Sequence, residues 1–418
     1  MGNNPIEILK SLHNIPNAPF SIKGRSEYLK KFIQDMELEY EETEYYIKVN
    51  LNSVKKDSPK IIFVSHLDHP GFVFKNSRFA KAFGSLYLHK ITKYSPISVF
   101  NPQGKYLGDV KLKKVLGNDE SWIEVESEFE IPKNSQGLWN VGDVEVKAGK
   151  VFARSHDNDV ATSILLSNLK PTNRDDFGIV YLFTKHEEVL QQSAYHIAKY
   201  NTLGINSQDI VINTEAMKVS PISEVPEFSE ISYADGPVLN ISEASGLYTT
   251  GSRNLGESLI NNISISQNLK LQRGLAGGSS DARVFSLFKL TPNVITLNIP
   301  NKYKHNVDGN FVRCEEVYLE DIEVINRIVN CIVDSKELSI SSTQVDISHR
   351  IPEGIVKDSK GLFKNLNDRL DIANRSIVKR GYYFPSSVSE YMVDTFLKIV
   401  SFASFYLTSG KGSGLSKD

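Results

Sequence analysis

The stretch 177–190, FGIVYLFTKHEEVL, runs from an unbroken apolar segment (Ile179, Val180, Tyr181, Leu182, Phe183) through Thr184, Lys185 and His186 into two adjacent carboxylates, Glu187 and Glu188. So short a run, rich in β-branched and aromatic residues, predicts a strand buried on both faces. In open α/β sheets, ligand sites lie beyond the carboxyl ends of such strands. Two neighbouring acids at that edge repel each other, and a cation or a shared proton would offset the repulsion. The plainer reading is a solvated helix start, where acids are favoured anyway.

Other segments repeat the pattern. Residues 60–65, KIIFVS, form a second apolar run that ends in His66-Leu67-Asp68, where an imidazole could ligate a metal while the carboxylate two residues on fixes its tautomer. Residues 209–215 form a third, ending in Glu215, and 293–300 a fourth, leading to His305. Asp157, beside His156, follows a short extended segment and opens a helix at 160–169; an N-cap alone could explain it. His66, Asp157, Glu187, Glu188, Glu215 and His305 thus all lie at or just past predicted strand ends. Parallel strands in one sheet would bring those ends to one edge.

Helical spacing is read at 4–13, 25–36, 190–200, 258–268 and 315–333, and an extended segment at 43–51. From 72 to 151 the texture changes to short alternating strands (85–89, 110–116, 122–125, 144–146) between Gly, Pro and Asn turns. The expected architecture is therefore α/β: a mixed, mostly parallel sheet flanked by helices, with a small all-β domain inserted. Residues 1–71 and 152–336 would form the catalytic domain, 72–151 the insertion, and 337–418 an extension in which no chemistry can be read.

The 418 residues are 40% apolar and 23% charged, with a formal charge of -2, which leaves no basic surface for nucleic acid or anionic membrane. The opening residues lack a signal layout and no run reaches transmembrane length, so a cytoplasmic protein is expected. Cys314 and Cys331 are too few for a disulfide framework and read as buried small hydrophobes.

Two histidines and several carboxylates without a thiolate favour zinc, cobalt or manganese. One acid could bridge two cations and another remain free as a base, which is the inventory of a two-metal hydrolase. On these residues the chain resembles the dinuclear-metal aminopeptidases that include the glutamyl, deblocking and tetrahedral aminopeptidases, over about residues 6–334. His66-Leu67-Asp68 resembles the family's His-x-Asp, Arg154-Ser-His-Asp157-Asn158 its bridging segment, Glu187-Glu188 its Glu-Glu, and Ile299-Pro-Asn-Lys-Tyr-Lys-His305 its final histidine. The resemblance implies Glu187 as general base and Asp68 as orienting partner of His66. It implies one cation, zinc before cobalt or manganese, on His66, Asp157 and Glu215, and a second on Asp157, Glu188 and His305. It also implies a peptide substrate cut at its N-terminus, and homo-oligomers from dimer to dodecamer built through the β insertion. Asp281, in Gly278-Ser-Ser-Asp281, would lie near the pocket, as a holder of the substrate ammonium or simply as an N-cap.

Four positions depart from the family pattern: His69 stands for a glutamate, Asn158 for an aspartate, Asp159 for an arginine, and Glu215 for the more frequent aspartate. The last leaves open an amidase, deacylase or carboxypeptidase of the related clan. A glycosidase is the poorer rival, because adjacent acids on one strand end cannot easily flank a sugar bond. An inactive metal-binding scaffold is the remaining alternative.

Overall fold

Four apolar runs set the frame. In the computed structural model they are the strands β3 (Lys60–His66), β12 (Gly178–Thr184), β13 (Ile210–Met217) and β16 (Asn293–Pro300), numbered by their order along the chain. Every residue of β12, β13 and β16 is buried, as expected for strands covered on both faces. They lie parallel in the order β12-β3-β13-β16, with Thr184 level with His66 and Glu215 level with Asn298. The sheet grows to eight strands by β1 (Tyr40–Glu42) and β2 (Tyr46–Asn50), antiparallel beside β12, and by β14 (Val238–Ser242) and β15 (Gln272–Leu275) beyond β16. The structure describes residues 4–55, 58–91, 94–117, 121–218, 231–242, 254–275 and 279–334. The extension expected at 337–418, and Gly278, lie outside them.

Seven helices accompany the sheet among the described residues: α1 (Pro5–His13), α2 (Lys23–Asp35), α3 (His156–Ser167), α4 (Gln192–Tyr200), α5 (Leu255–Ser266), α6 (Asp281–Leu287) and α7 (Leu319–Asp334). α1 begins on the Asn4 side chain, which accepts the Ile6 N–H at 2.9 Å, with Pro5 in the first turn, where its missing N–H does no harm. α3 and α5 both pack on α7, and α4 packs on α6. Their apolar faces close one core around the sheet, with Leu165, Ile260, Ile325 and Ile328 among its members.

Between β3 and α3 the chain forms a closed antiparallel barrel. Its strands are β4 (Gly71–Phe74), β5 (Phe79–Phe83), β6 (Ile97–Phe100), β7 (Tyr106–Leu116), β8 (Trp122–Glu126) and β9 (Gln136–Trp139), in the order β4-β5-β8-β7-β6-β9, and β9 closes on β4. Alternate residues point inward, giving a separate core that contains Phe72, Phe74, Ile97, Val99, Ile123 and Trp139.

Three sequence expectations need correction. Residues 85–89 are not a strand: Tyr87 turns with φ 49° into a 3-10 turn at Leu88–Lys90. The strand expected near 144–146, β10 (Glu145–Lys147), is outside the barrel; it pairs with β11 (Lys150–Ala153). The helix expected at 315–333 starts only at Leu319, because Glu315–Tyr318 is a strand, β19, held against β11. The short hairpin β17 (Val307–Asp308) and β18 (Phe311–Val312) precedes it. Cys314 and Cys331 are free and only partly buried, and Cys314 Sγ donates to the Val141 carbonyl. No helix among the described residues is long and apolar enough to cross a membrane.

Candidate metal centre

The parallel strands deliver most of the acids and imidazoles singled out above. His66 ends β3, Glu215 lies near the end of β13, and Glu187 and Glu188 follow β12. His305 comes five residues after β16, in a turn where Tyr303, His305 and Asn306 all have positive φ. Asp157 does not arrive as the sequence suggested. β11 belongs to a separate antiparallel sheet with β10 and β19, so Asp157 enters from the non-helical start of α3, through a cis peptide to Asn158. That start is docked on the parallel sheet. Asn158 Nδ2 donates to the Thr214 carbonyl at 2.8 Å, and Thr162 Oγ1 to the His66 carbonyl at 3.3 Å.

All five proposed ligands meet. His66 Nε2 is 2.9 Å from Asp157 Oδ1 and 3.2 Å from Glu215 Oε1. His305 Nε2 is 3.2 Å from Asp157 Oδ2 and 3.2 Å from Glu188 Oε1. Asp157 therefore lies between two three-residue groups, His66–Asp157–Glu215 and Asp157–Glu188–His305, each with its donor atoms within 4.8 Å of one another.

The histidine tautomers test whether this donor set fits metal. His66 Nδ1 faces the Asp68 carbonyl at 2.9 Å, and His305 Nδ1 faces the Ser85 carbonyl at 2.9 Å. A carbonyl only accepts, so both imidazoles carry a hydrogen on Nδ1. In the neutral rings each Nε2 then turns a lone pair toward carboxylate oxygens. That arrangement needs a proton or a cation between the atoms, and a divalent cation suits both groups. The charge balance agrees. Asp157, Glu187, Glu188 and Glu215 crowd one buried site, where Lys304 Nζ, 2.7 Å from Asp157 Oδ2, is the nearby side-chain cation among the described residues. Without ions, burial pulls the His66 and His305 imidazoles down, but the carboxylates outweigh it and hold both well above the ordinary histidine range. Burial pushes the Glu187 carboxyl well above the usual range; His66 opposes this, and Glu188, Glu215 and Asp281 add to it.

Asp68 works differently from expectation. Its carboxylate is 3.6 Å from His66 Nδ1, too far for a hydrogen bond, and instead accepts the backbone N–H groups of Glu187 (3.0 Å) and Glu188 (3.2 Å). Asp68 thus ties the β3 end to the β12 end; its carbonyl, rather than its carboxylate, orients His66. Asp281 heads α6 and accepts from Thr184 Oγ1 at 2.6 Å, while burial raises its carboxyl to about 7.

The departures find local explanations. Asp159 is paired with Arg25 of α2, whose Nη2 donates to Oδ2 at 2.9 Å, both side chains being buried. His69 Nδ1 donates to the Asp157 carbonyl at 2.5 Å, bracing the residue between the two groups. Glu215 reaches His66 with its longer side chain. Two residues escaped the sequence reading. Lys304 sits one residue before His305 and contacts Asp157. Glu315 accepts the Asp157 N–H at 2.9 Å on one oxygen and the His305 N–H at 2.6 Å on the other. Burial and the charge of Asp157 raise the Glu315 carboxyl to about 8.

Residues 126–316 match the family model of the M42 glutamyl aminopeptidases. No curated protein matches the chain. Among solved structures, an aminopeptidase from the archaeon Desulfurococcus kamchatkensis superposes with a TM-score of 0.63 and 18% identity, over 83% of this chain and 98% of that one. The TET1 peptidase of Pyrococcus horikoshii, described as able to assemble into a tetrahedron or a large octahedral shell, gives 0.63 and 18%, over 79% and 100%. A Thermotoga maritima protein described as an endoglucanase gives 0.56 and 14%, over 78% and 96%. These likenesses are ones of fold. The family match assigns residues 126–316 to an M42 glutamyl aminopeptidase domain, and the solved structures show that the fold around it is shared.

Proposed function

We propose that the chain is a two-metal aminopeptidase that removes residues from the N-termini of peptides. The observation that carries this is the pair of Nε2 lone pairs, on His66 and His305, aimed at the opposite oxygens of Asp157. His66, Asp157 and Glu215 would hold one divalent cation, and Asp157, Glu188 and His305 the other, with zinc first and cobalt or manganese as alternatives. Bound there, such ions would supply an acidified water and a Lewis acid for the scissile carbonyl. Glu187, buried and anchored through its N–H to Asp68, takes the proton of the attacking water on its carboxylate and returns it to the leaving amine. Gln191 Nε2 donates to Glu187 Oε1 at 3.1 Å and fixes the acceptor's direction. Asp281 Oδ1, buried and without a hydrogen-bond partner among the described residues, would take the substrate ammonium.

Hydrolysis of aminoacyl anilides by the metal-loaded protein, and none of their N-acylated counterparts, is the expected result. Preference for the acylated substrates would assign the chain to the related amidases or deacylases instead. Homo-oligomeric assembly, which the Pyrococcus protein's description reports for that protein, is proposed here through the barrel, in a cytoplasmic setting.

A further inference from the structure

The barrel touches the metal centre through one turn. Residue Ser85, just after β5, accepts His305 Nδ1 on its carbonyl at 2.9 Å, and two residues later the Tyr87 ring stacks on the His305 imidazole at 6.0 Å and 25°. Tyr87 is 40% exposed, and Lys90 Nζ lies over its ring at 4.8 Å, so the ring contacts a cation as well as the imidazole. The turn itself is held in place by Gly84. Its φ is +77°, and an added Cβ would lie 2.9 Å from Pro70 Cβ and Cγ, next to the His69 that braces Asp157. His305 is therefore oriented by a carbonyl that follows a barrel strand, while its own backbone follows β16 of the parallel sheet.

We propose that the barrel's 84–90 turn is a clamp on His305 that sets the affinity of the Asp157–Glu188–His305 site and leaves the His66 site alone. The physical reason is the tautomer. The Ser85 carbonyl keeps the hydrogen on Nδ1 and Nε2 free to ligate, and outer hydrogen bonds of this kind change metal affinity about 10–100-fold when lost. Tyr87 is a positioning residue: it blocks rotation of the ring away from Ser85. The barrel thereby becomes part of the metal centre.

This inference rests on the two-metal reading, and zinc titration of the full chain against a chromophoric chelator separates the two. The wild type should bind two equivalents. Tyr87→Ala should keep one affinity unchanged and weaken the other by about 10-fold or more, with Tyr87→Phe close to wild type. Melting curves of the metal-free protein should be the same for Tyr87→Ala and the wild type, since that side chain is 40% exposed. Two unchanged affinities in Tyr87→Ala, or equal weakening of both sites, would overturn the clamp while leaving the metal pair standing. A wild type that takes up no second ion overturns both.

Discussion

Replacing Glu187 with Gln keeps the shape of the side chain and removes its ability to accept a proton. Turnover should fall by about 10²–10⁴-fold, the span of general-base contributions, with both metals still bound by elemental analysis. Near-full turnover would remove Glu187 from the base role. His305→Ala deletes one ligand of a single group, so metal content should drop from two equivalents to one; two retained equivalents would refute the assignment. At this scale the sequence was informative where chemistry is concentrated in the residue itself. His66, Glu187, Glu188, Glu215 and His305 could be picked from positions at or just past parallel strand ends, whereas Asp157 joins them from the start of α3. Glu315 could not, because its part depends on accepting two N–H groups from residues far away in sequence. The same holds for Asp68, whose carboxylate was expected on His66 and binds the Glu187 and Glu188 backbones instead.

Between elements, the buried Arg25–Asp159 pair joins α2 to α3. Arg25→Ala leaves a buried, unpaired carboxylate and should destabilise the fold by about 3–5 kcal/mol in urea denaturation. Adding Asp159→Asn should recover part of that loss, and a double variant no better than the single one would show that the pair is not coupled. The strands that frame the site were legible because each is a continuous apolar run ended by polar residues, and β16 falls on the residues expected. β19 was not: EEVYLEDIEV carries helical spacing, and only pairing with β11 draws its first four residues into a strand. Nor does the 84–90 turn show in the sequence, since alternation in SLYLH favours a strand until the closed barrel forces the bend.

For the whole molecule, burial of neutral histidines sets an acid limit. Burial, with Arg154 beside it, lowers His13 to about 3, and burial lowers His156 to about 4. Both stay neutral in the fold while the unfolded chain binds protons from about pH 6.5 downward. The unfolded state then holds more protons, so stability is full above about 6.5 and is lost progressively as the pH falls toward 4 and 3. The melting temperature should fall over that window, and His13→Gln should flatten the slope. Chelation should lower the melting temperature at neutral pH as well, because ions that bind only the folded chain stabilise it by mass action; an unchanged midpoint would argue against resident metal. The proposed ligands are spread from position 66 to 305, on elements that meet through long-range strand pairing and through the docking of α3 on the sheet. No shorter piece of the chain holds both groups. A polypeptide still emerging from the ribosome is therefore harmless to its neighbours until almost the whole core has been made, which is a safeguard against premature cutting that comes from topology alone.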